Sequence, residues 1–228
     1  VNDPVSSPVF LSVAIGLTSA LLGFPFALVL GRWLARTNSA LRPVVTTVLF
    51  LPLVLPPVVV GWSLLELFGM NSPIGRAMTW LGLTVPFSPA GAVLAATVVG
   101  LPMYVMSARA AFEAVDSRYE QMSATLGDDP RTTFLRVTLP LAAPGLFAGA
   151  VLAFARALGE FGATIVLAGN TPLTRTIAVA VYGMLDAPGA HLRALPLVLA
   201  SVAIGWICLV VYETLVWAQR RRLEVDDG

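Results

Sequence analysis

Pro8-Val9-Phe10-Leu11-Ser12-Val13-Ala14-Ile15-Gly16-Leu17-Thr18-Ser19-Ala20-Leu21-Leu22-Gly23-Phe24-Pro25-Phe26-Ala27-Leu28-Val29-Leu30-Gly31 runs for 24 residues without one charged side chain. A bilayer core about 30 Å thick needs about 20 mostly apolar residues per helix, because unbonded backbone N–H and C=O groups do not survive in hydrocarbon. The stretch is too long for a signal-peptide core, and Asp3 stands in its N-terminal flank where a basic region would be required, so it reads as a membrane span. Four further runs have the same character: Val44–Phe68, Pro89–Ala111, Leu141–Leu158 and Leu195–Trp217. The expected fold is an all-α polytopic membrane protein with five transmembrane helices, a single domain over residues 1–228 with no internal repeat or linker. Ile177–Leu185 is apolar but too short to cross, which predicts an interfacial or re-entrant helix.

The composition agrees. Hydrophobic residues make up 57% of the chain and charged residues 12%, against about 45–50% and about 25% in soluble domains. A net charge of +1, with no basic run interleaved with aromatics, excludes a nucleic-acid partner. All 14 basic residues are arginine, so neither a phosphate-binding P-loop nor a Schiff-base enzyme can be built. One cysteine, Cys208, and one histidine, His191, cannot form a metal cluster. Cys208 reads as a packing residue and His191 as a solvated loop residue. No catalytic residue is assigned, and no cofactor or metal is expected on this chain.

Arginines mark the orientation. Ten of them follow span one (Arg32, Arg36, Arg42), separate spans three and four (Arg109, Arg118, Arg131, Arg136) and follow span five (Arg220, Arg221, Arg222). Arg76, Arg175 and Arg193 fall on the opposite side, and Arg156 inside a span. The positive-inside rule therefore places the N-terminus out and the C-terminus in. Trp33, Trp62, Trp80, Trp206 and Trp217 mostly fall near span ends, as an interfacial belt requires.

The cytoplasmic segment 113–140 carries complete start and stop signals. Ser117 and Glu120 have capping-box spacing, Gly127 suits a left-handed helix end, and Asp129-Pro130 reads as the cap and first residue of another helix. Tyr119, Met122 and Leu126 fall at i, i+3 and i+7, which gives the short helix one apolar stripe. Spacing leaves two readings open. The stripe packs on the protein's own helix ends, or it docks into a groove of a soluble partner.

The run Glu120-Gln121-Met122-Ser123-Ala124-Thr125-Leu126-Gly127, followed after nine residues by Val137-Thr138-Leu139-Pro140, resembles the signature of importer-type ABC transporter permeases. The family pattern is Glu-Ala-Ala, three residues, Gly, nine residues, Ile, one residue, Leu-Pro. Gln121-Met122-Ser123 stand where Glu-Ala-Ala is usual, Glu120 lies one position early, and Val137 replaces Ile. Two further stretches, Leu51-Pro52-Leu53-Val54-Leu55-Pro56-Pro57-Val58-Val59-Val60-Gly61 and Ala153-Phe154-Ala155-Arg156-Ala157-Leu158-Gly159-Glu160-Phe161-Gly162-Ala163-Thr164, are similar to the molybdate/tungstate permease subfamily. Sulfate permeases carry related versions of the last.

The resemblance implies a homodimeric permease in a bacterial or archaeal cytoplasmic membrane, importing molybdate or tungstate by alternating access. It implies an extracytoplasmic substrate-binding protein and a cytoplasmic ABC ATPase dimer that holds ATP and Mg. The ATPase-coupling residues would be Tyr119, Glu120, Gln121, Met122, Ser123, Leu126, Gly127, Val137, Leu139 and Pro140. A permease for sulfate or another oxyanion, and a non-transporting scaffold that recruits a cytoplasmic partner, remain the rivals.

Two features inside the membrane need a physical account. Pro52, Pro56 and Pro57 lack amide protons, so span two should kink or break near Leu51–Val58, in a hinge or pathway-lining segment. Arg156 and Glu160 lie four apart on one helix face, where each alone would cost a few kcal/mol, so a buried mutual pair is expected, bracing an interface or a gate. These residues and Thr164 are the pathway or gate candidates. The hydroxyls of Thr18, Ser19, Thr46, Thr47, Thr97 and Thr164 are weaker candidates for oxyanion contact, since such groups commonly bond helix carbonyls.

Overall fold

The computed structural model describes the backbone of residues 6–185 and 190–224 and the side chains of residues 7–185 and 192–221. Every regular element in it is helical: α1 (Ser6–Arg36), α2 (Arg42–Val54), α3 (Pro57–Phe68), α4 (Pro73–Trp80), α5 (Pro89–Glu113), α6 (Ser117–Thr125), α7 (Pro130–Thr133), a π-helical turn (Phe134–Thr138), α8 (Leu139–Leu158), α9 (Gly162–Leu167), α10 (Ile177–Met184) and α11 (Ala190–Glu224). Four helical stretches are long and apolar enough to cross a membrane: Ser7–Arg36, Pro89–Glu113, Pro130–Leu158 and Leu192–Arg221.

The second apolar run is not one helix. Leu55 and Pro56 each precede a proline, whose ring pushes the preceding residue out of the helical region. Both are extended, Leu55 at φ −70°, ψ 144° and Pro56 at φ −54°, ψ 132°. α2 and α3 therefore meet at 111°, as a broken span or a re-entrant loop. Of the expected kink or break, the structure has the break, while Pro52 stays inside α2.

Other ends also move. The fourth run is helical from Pro130, eleven residues before the expected Leu141, because α7, the π turn and α8 are continuous. Pro140 explains the π turn: it offers no amide, and in an ideal α-helix its ring would meet the carbonyl of Arg136. The wider turn just before it, in which the Leu139 amide donates to the Phe134 carbonyl, removes that conflict. α11 begins at Ala190, so the backbone of His191 is helical and not loop; its expected solvation concerns a side chain outside the described residues. α10 forms where the short apolar stretch predicts a helix. Its first amide donates to Ser12 Oγ at 2.8 Å, and Ile177 and Ala180 pack with Leu197 of α11.

α1, α5 and α8 form the centre. Lipid is as apolar as leucine, so close van der Waals packing, not water exclusion, holds membrane helices together, and small residues permit it. A Cβ on Gly31 would lie 2.7 Å from the Ala108 Cβ and 3.0 Å from the Arg109 amide nitrogen. Ala27, Leu34, Tyr104, Val105, Phe112 and Leu146 are buried in the same cluster. α11 covers α8, with Cys208 buried as packing requires, and turns an apolar face including Leu199, Trp206 and Val210 outward. α2 buries no residue.

Candidate functional site

At one end of the bundle, α5 delivers the chain into α6. Asp116 caps this helix by accepting from the Arg118 amide at 2.8 Å. Ser117, expected to be the cap, is the first helical residue instead, because Asp116 sits one position earlier in extended backbone with a better acceptor. Glu120 is thereby released from the capping box. Its Oε1 accepts from Thr138 Oγ1 at 2.8 Å and faces Arg36 Nη2 at 3.4 Å and Arg32 Nη1 at 3.7 Å. Arg36 also donates to the Val115 carbonyl at 3.0 Å. One carboxylate so joins α6 to the end of α1 and to the π turn.

Ser123 continues this inward face. It is buried, donates to Asp128 Oδ2 at 2.7 Å and shares a 3.0 Å hydrogen bond with Thr133 Oγ1. The turn between them passes through Gly127 at φ +95°, with no atom within 4 Å of where a Cβ would stand, so backbone conformation and not space requires glycine. Asp129 then caps α7 through the Arg131 amide and also accepts from Thr132 Oγ1. The Thr132 hydroxyl holds the Asp129 carboxyl below its ordinary value, against a smaller desolvation effect.

The expected single apolar stripe is divided. Tyr119 packs on the bundle core, whereas Met122 is 63% and Leu126 85% exposed. The helix ends at Thr125, so Leu126 leaves the stripe's line, and the buried face is the mixed seam Tyr119, Glu120 and Ser123. Gln121 is exposed. Ser123, grouped by sequence with outward coupling residues, points inward for its hydrogen bonds. Val137 lies in the π turn, and Leu139 and Pro140 in the first turn of α8; Leu139 packs on the core and Pro140 is exposed.

A second constellation lies at the α2–α3 break. Glu160 is 2% exposed and Arg156 26%; they pair at 2.8 Å through Oε2 as expected, but Glu160 lies past the end of α8 and not on its face. Glu160 Oε1 also accepts from the Ala163 amide at 2.9 Å, which satisfies a donor in the first turn of α9. That turn seats α3. A Cβ on Gly162 would lie 2.8 Å from the Pro57 Cβ, and one on Gly61 would lie 2.7 Å from the backbone of Ala163. Pro57, Arg156, Glu160 and Thr164 thus belong to one packed unit, with Thr164 buried, while Pro52 lies in α2 on the other side of the break. Pro56 and Pro57 are exposed, as are Val54, Val58 and Trp62 beside them. Four of the other hydroxyls return to their own helices: Thr18 to Ala14, Ser19 to Gly16, Thr47 to Pro43 and Thr97 to Val93.

Sequence reasoning missed Arg32, Arg36, Asp128, Thr133 and Thr138 as partners. The only available signal was the i, i+4 spacing of Arg32 and Arg36 at the end of a span. Among the described residues no group of three His, Cys, Asp or Glu side chains could hold a metal ion.

Comparison with known proteins gives the family and the fold. The profile of the family "binding-protein-dependent transport system inner membrane component" matches residues 8–225. The molybdenum transport system permease protein ModB of Escherichia coli is 43% identical over 223 residues, covering 97% of each chain. ModB of Haemophilus influenzae is 41% identical over 217 residues, covering 94% of this chain and 93% of that one. The methionine ABC transporter MetNI in an inward-facing conformation superposes with a TM-score of 0.62 at 15% identity, over 97% of this chain and 95% of its own. An amino acid ABC transporter solved with histidines gives 0.59 at 16% identity, over 96% and 94%. The last two establish the ABC permease fold.

Proposed function

The chain belongs to the binding-protein-dependent transport system inner membrane components, and on that premise we propose that it is the permease subunit of an importer for molybdate or tungstate. It is a multi-pass protein of the cytoplasmic membrane; ATP hydrolysis is carried by a separate ATPase subunit, and a binding protein delivers the cargo. The chain itself holds no cofactor, ATP and magnesium being the ATPase's. Two copies, each one domain crossing the membrane five times with the N-terminus out and the C-terminus in, form a central path.

The observation that carries this reading is the split character of α6 and its end, locked on one side by Glu120 and Ser123 while Met122 on the helix and Leu126 just past it stand exposed. A helix with that division suits the groove of a soluble partner. When the ATPase pair closes, α6 moves with it. The continuous α7–π–α8 rod and the Glu120 contacts carry that movement to α8 and α1, and the α8–α9 turn carries it to the bent α2–α3 pair. The exposed break at Leu55–Pro57 faces the path and acts as its gate. Arg156 is neutralised by Glu160, so the pair braces the gate and does not bind the dianion. Selectivity then rests with the binding protein, which suits a path that must release its cargo.

The test is ATP-dependent uptake of labelled molybdate by liposomes holding the chain with its ATPase and binding protein. Excess tungstate should block uptake and excess sulfate should not. Block by sulfate would move the substrate, and no uptake by an assembled complex would sink the reading.

A further inference from the structure

A groove of about 490 Å³ opens between the end of α1 and the π turn. Its wall is apolar, from Leu28, Val29 and Trp33, and its end is cationic, from Arg32 and Arg36. The charges there do not balance, since two guanidinium groups face one carboxylate, at 3.7 and 3.4 Å. Arg32 lies over the Phe134 ring, its Cζ 4.2 Å from the centroid, and its buried Nη1 faces Glu120 at 3.7 Å without a hydrogen bond. The site therefore has two preset cations sharing one carboxylate, each about a third exposed, at the point where a span leaves the hydrocarbon.

We propose that this groove binds the phosphate of an anionic phospholipid, with the acyl chain along Leu28 and Val29 and the phosphate between Arg32 and Arg36. Arginine groups beside a span at the membrane surface attract lipid phosphate, and a tryptophan at that depth anchors the interface. The inference rests on reading this end of α1 as the cytoplasmic membrane surface. Because the same two arginines hold Glu120, a bound phosphate shares them with α6, and lipid charge bears on the position of the coupling helix.

The full chain, purified with its ATPase and offered phosphatidylglycerol and phosphatidylcholine in equal amounts, is examined by native mass spectrometry. Phosphatidylglycerol should be retained in preference, and Arg32→Gln should lower that preference about fivefold. Val29→Trp, which fills the groove at an exposed position without touching a charge, should lower retention as well, while Arg76→Gln at the far end should not. Equal retention in wild type and Arg32→Gln would overturn the proposal. So would displacement of the lipid by inorganic phosphate at the same concentration, which would make this a free-anion site. The readout needs neither cargo nor ATP, so its failure leaves the importer reading standing, and failed uptake leaves lipid binding measurable.

Discussion

Thr138 donates to Glu120 at 2.8 Å across 18 residues of sequence, and this bond ties α6 to the π turn at the foot of α8. The same oxygen faces Arg32 and Arg36 of α1. Three elements distant in the chain therefore converge on one atom.

Glu120→Gln keeps an acceptor for Thr138 but removes the charge facing both arginines. Those side chains are about a quarter to a third exposed, so solvent screening limits the stability cost to about 0.5–1 kcal/mol. The larger effect should be on coupling: fewer molybdate ions imported per ATP hydrolysed, with the ATPase still bound. An unchanged ratio would remove Glu120 from the transmission path.

Gly127→Val places a β-branched residue at φ +95°, a conformation that costs L-residues about 1–2 kcal/mol even where space is open. Folding should survive, because nothing lies within 4 Å. The end of α6 should be redirected, so co-purification with the ATPase and uptake should both fall severalfold. Gly127→Asn, which tolerates this region better, should retain most of both.

At the α3–α9 contact, Gly61→Ala drives a methyl to within 2.7 Å of the Ala163 backbone, whereas Gly205→Ala meets nothing within 4 Å. Overpacking of this kind costs about 1–3 kcal/mol. Thermal unfolding in detergent should show a lower midpoint for the first variant and none for the second. Equal midpoints would mean that α3 and α9 do not pack this closely.

Glu160→Ala strands the Arg156 guanidinium and the Ala163 amide together. Breaking a buried pair from one side costs about 3–5 kcal/mol, while replacing both partners with apolar residues is often near neutral. The double variant Arg156→Met, Glu160→Leu should therefore be more stable than Glu160→Ala alone. A double-mutant cycle measures this, and strict additivity would count against the pair.

Asp129 gives a pH signature. Its carboxyl is held below the ordinary value of 3.8, first by the Thr132 hydroxyl. A depressed folded-state value means that the cap's contribution is full above the unfolded value and is lost as pH falls through the lowered one. The midpoint difference between wild type and Asp129→Asn should be constant near neutrality and should close in acid. A gap that widens in acid would reverse the sign and refute the cap.

The spans were legible because hydrocarbon imposes one requirement, a long uncharged run, that sequence displays directly. The α2–α3 break was foreseeable from Pro52, Pro56 and Pro57, but its angle and its seat on Gly162 depend on α9, over a hundred residues away. The Arg156–Glu160 pair was readable from its spacing of four, although α8 ends at Leu158 and Glu160 reaches Arg156 from the turn beyond it. Glu120 was misread for the opposite reason. Local spacing offered it a cap, and Arg32, Arg36 and Thr138, brought close only by folding, outcompeted that cap. Asp116 took the cap role by standing one residue nearer the turn, a shift too small for spacing to resolve.

The crossing of α1 and α5 at Gly31 and Ala108 has a thermodynamic corollary. Neither residue has a rotatable side chain, so this contact freezes no rotamers when the helices meet, whereas a leucine or isoleucine forfeits about 0.5–1 kcal/mol of side-chain entropy on ordering. The two helices can associate as soon as both lie in the bilayer, without waiting for α8 or α11 to define a pocket for bulky groups. Such a crossing closes on backbone and methyl contacts alone.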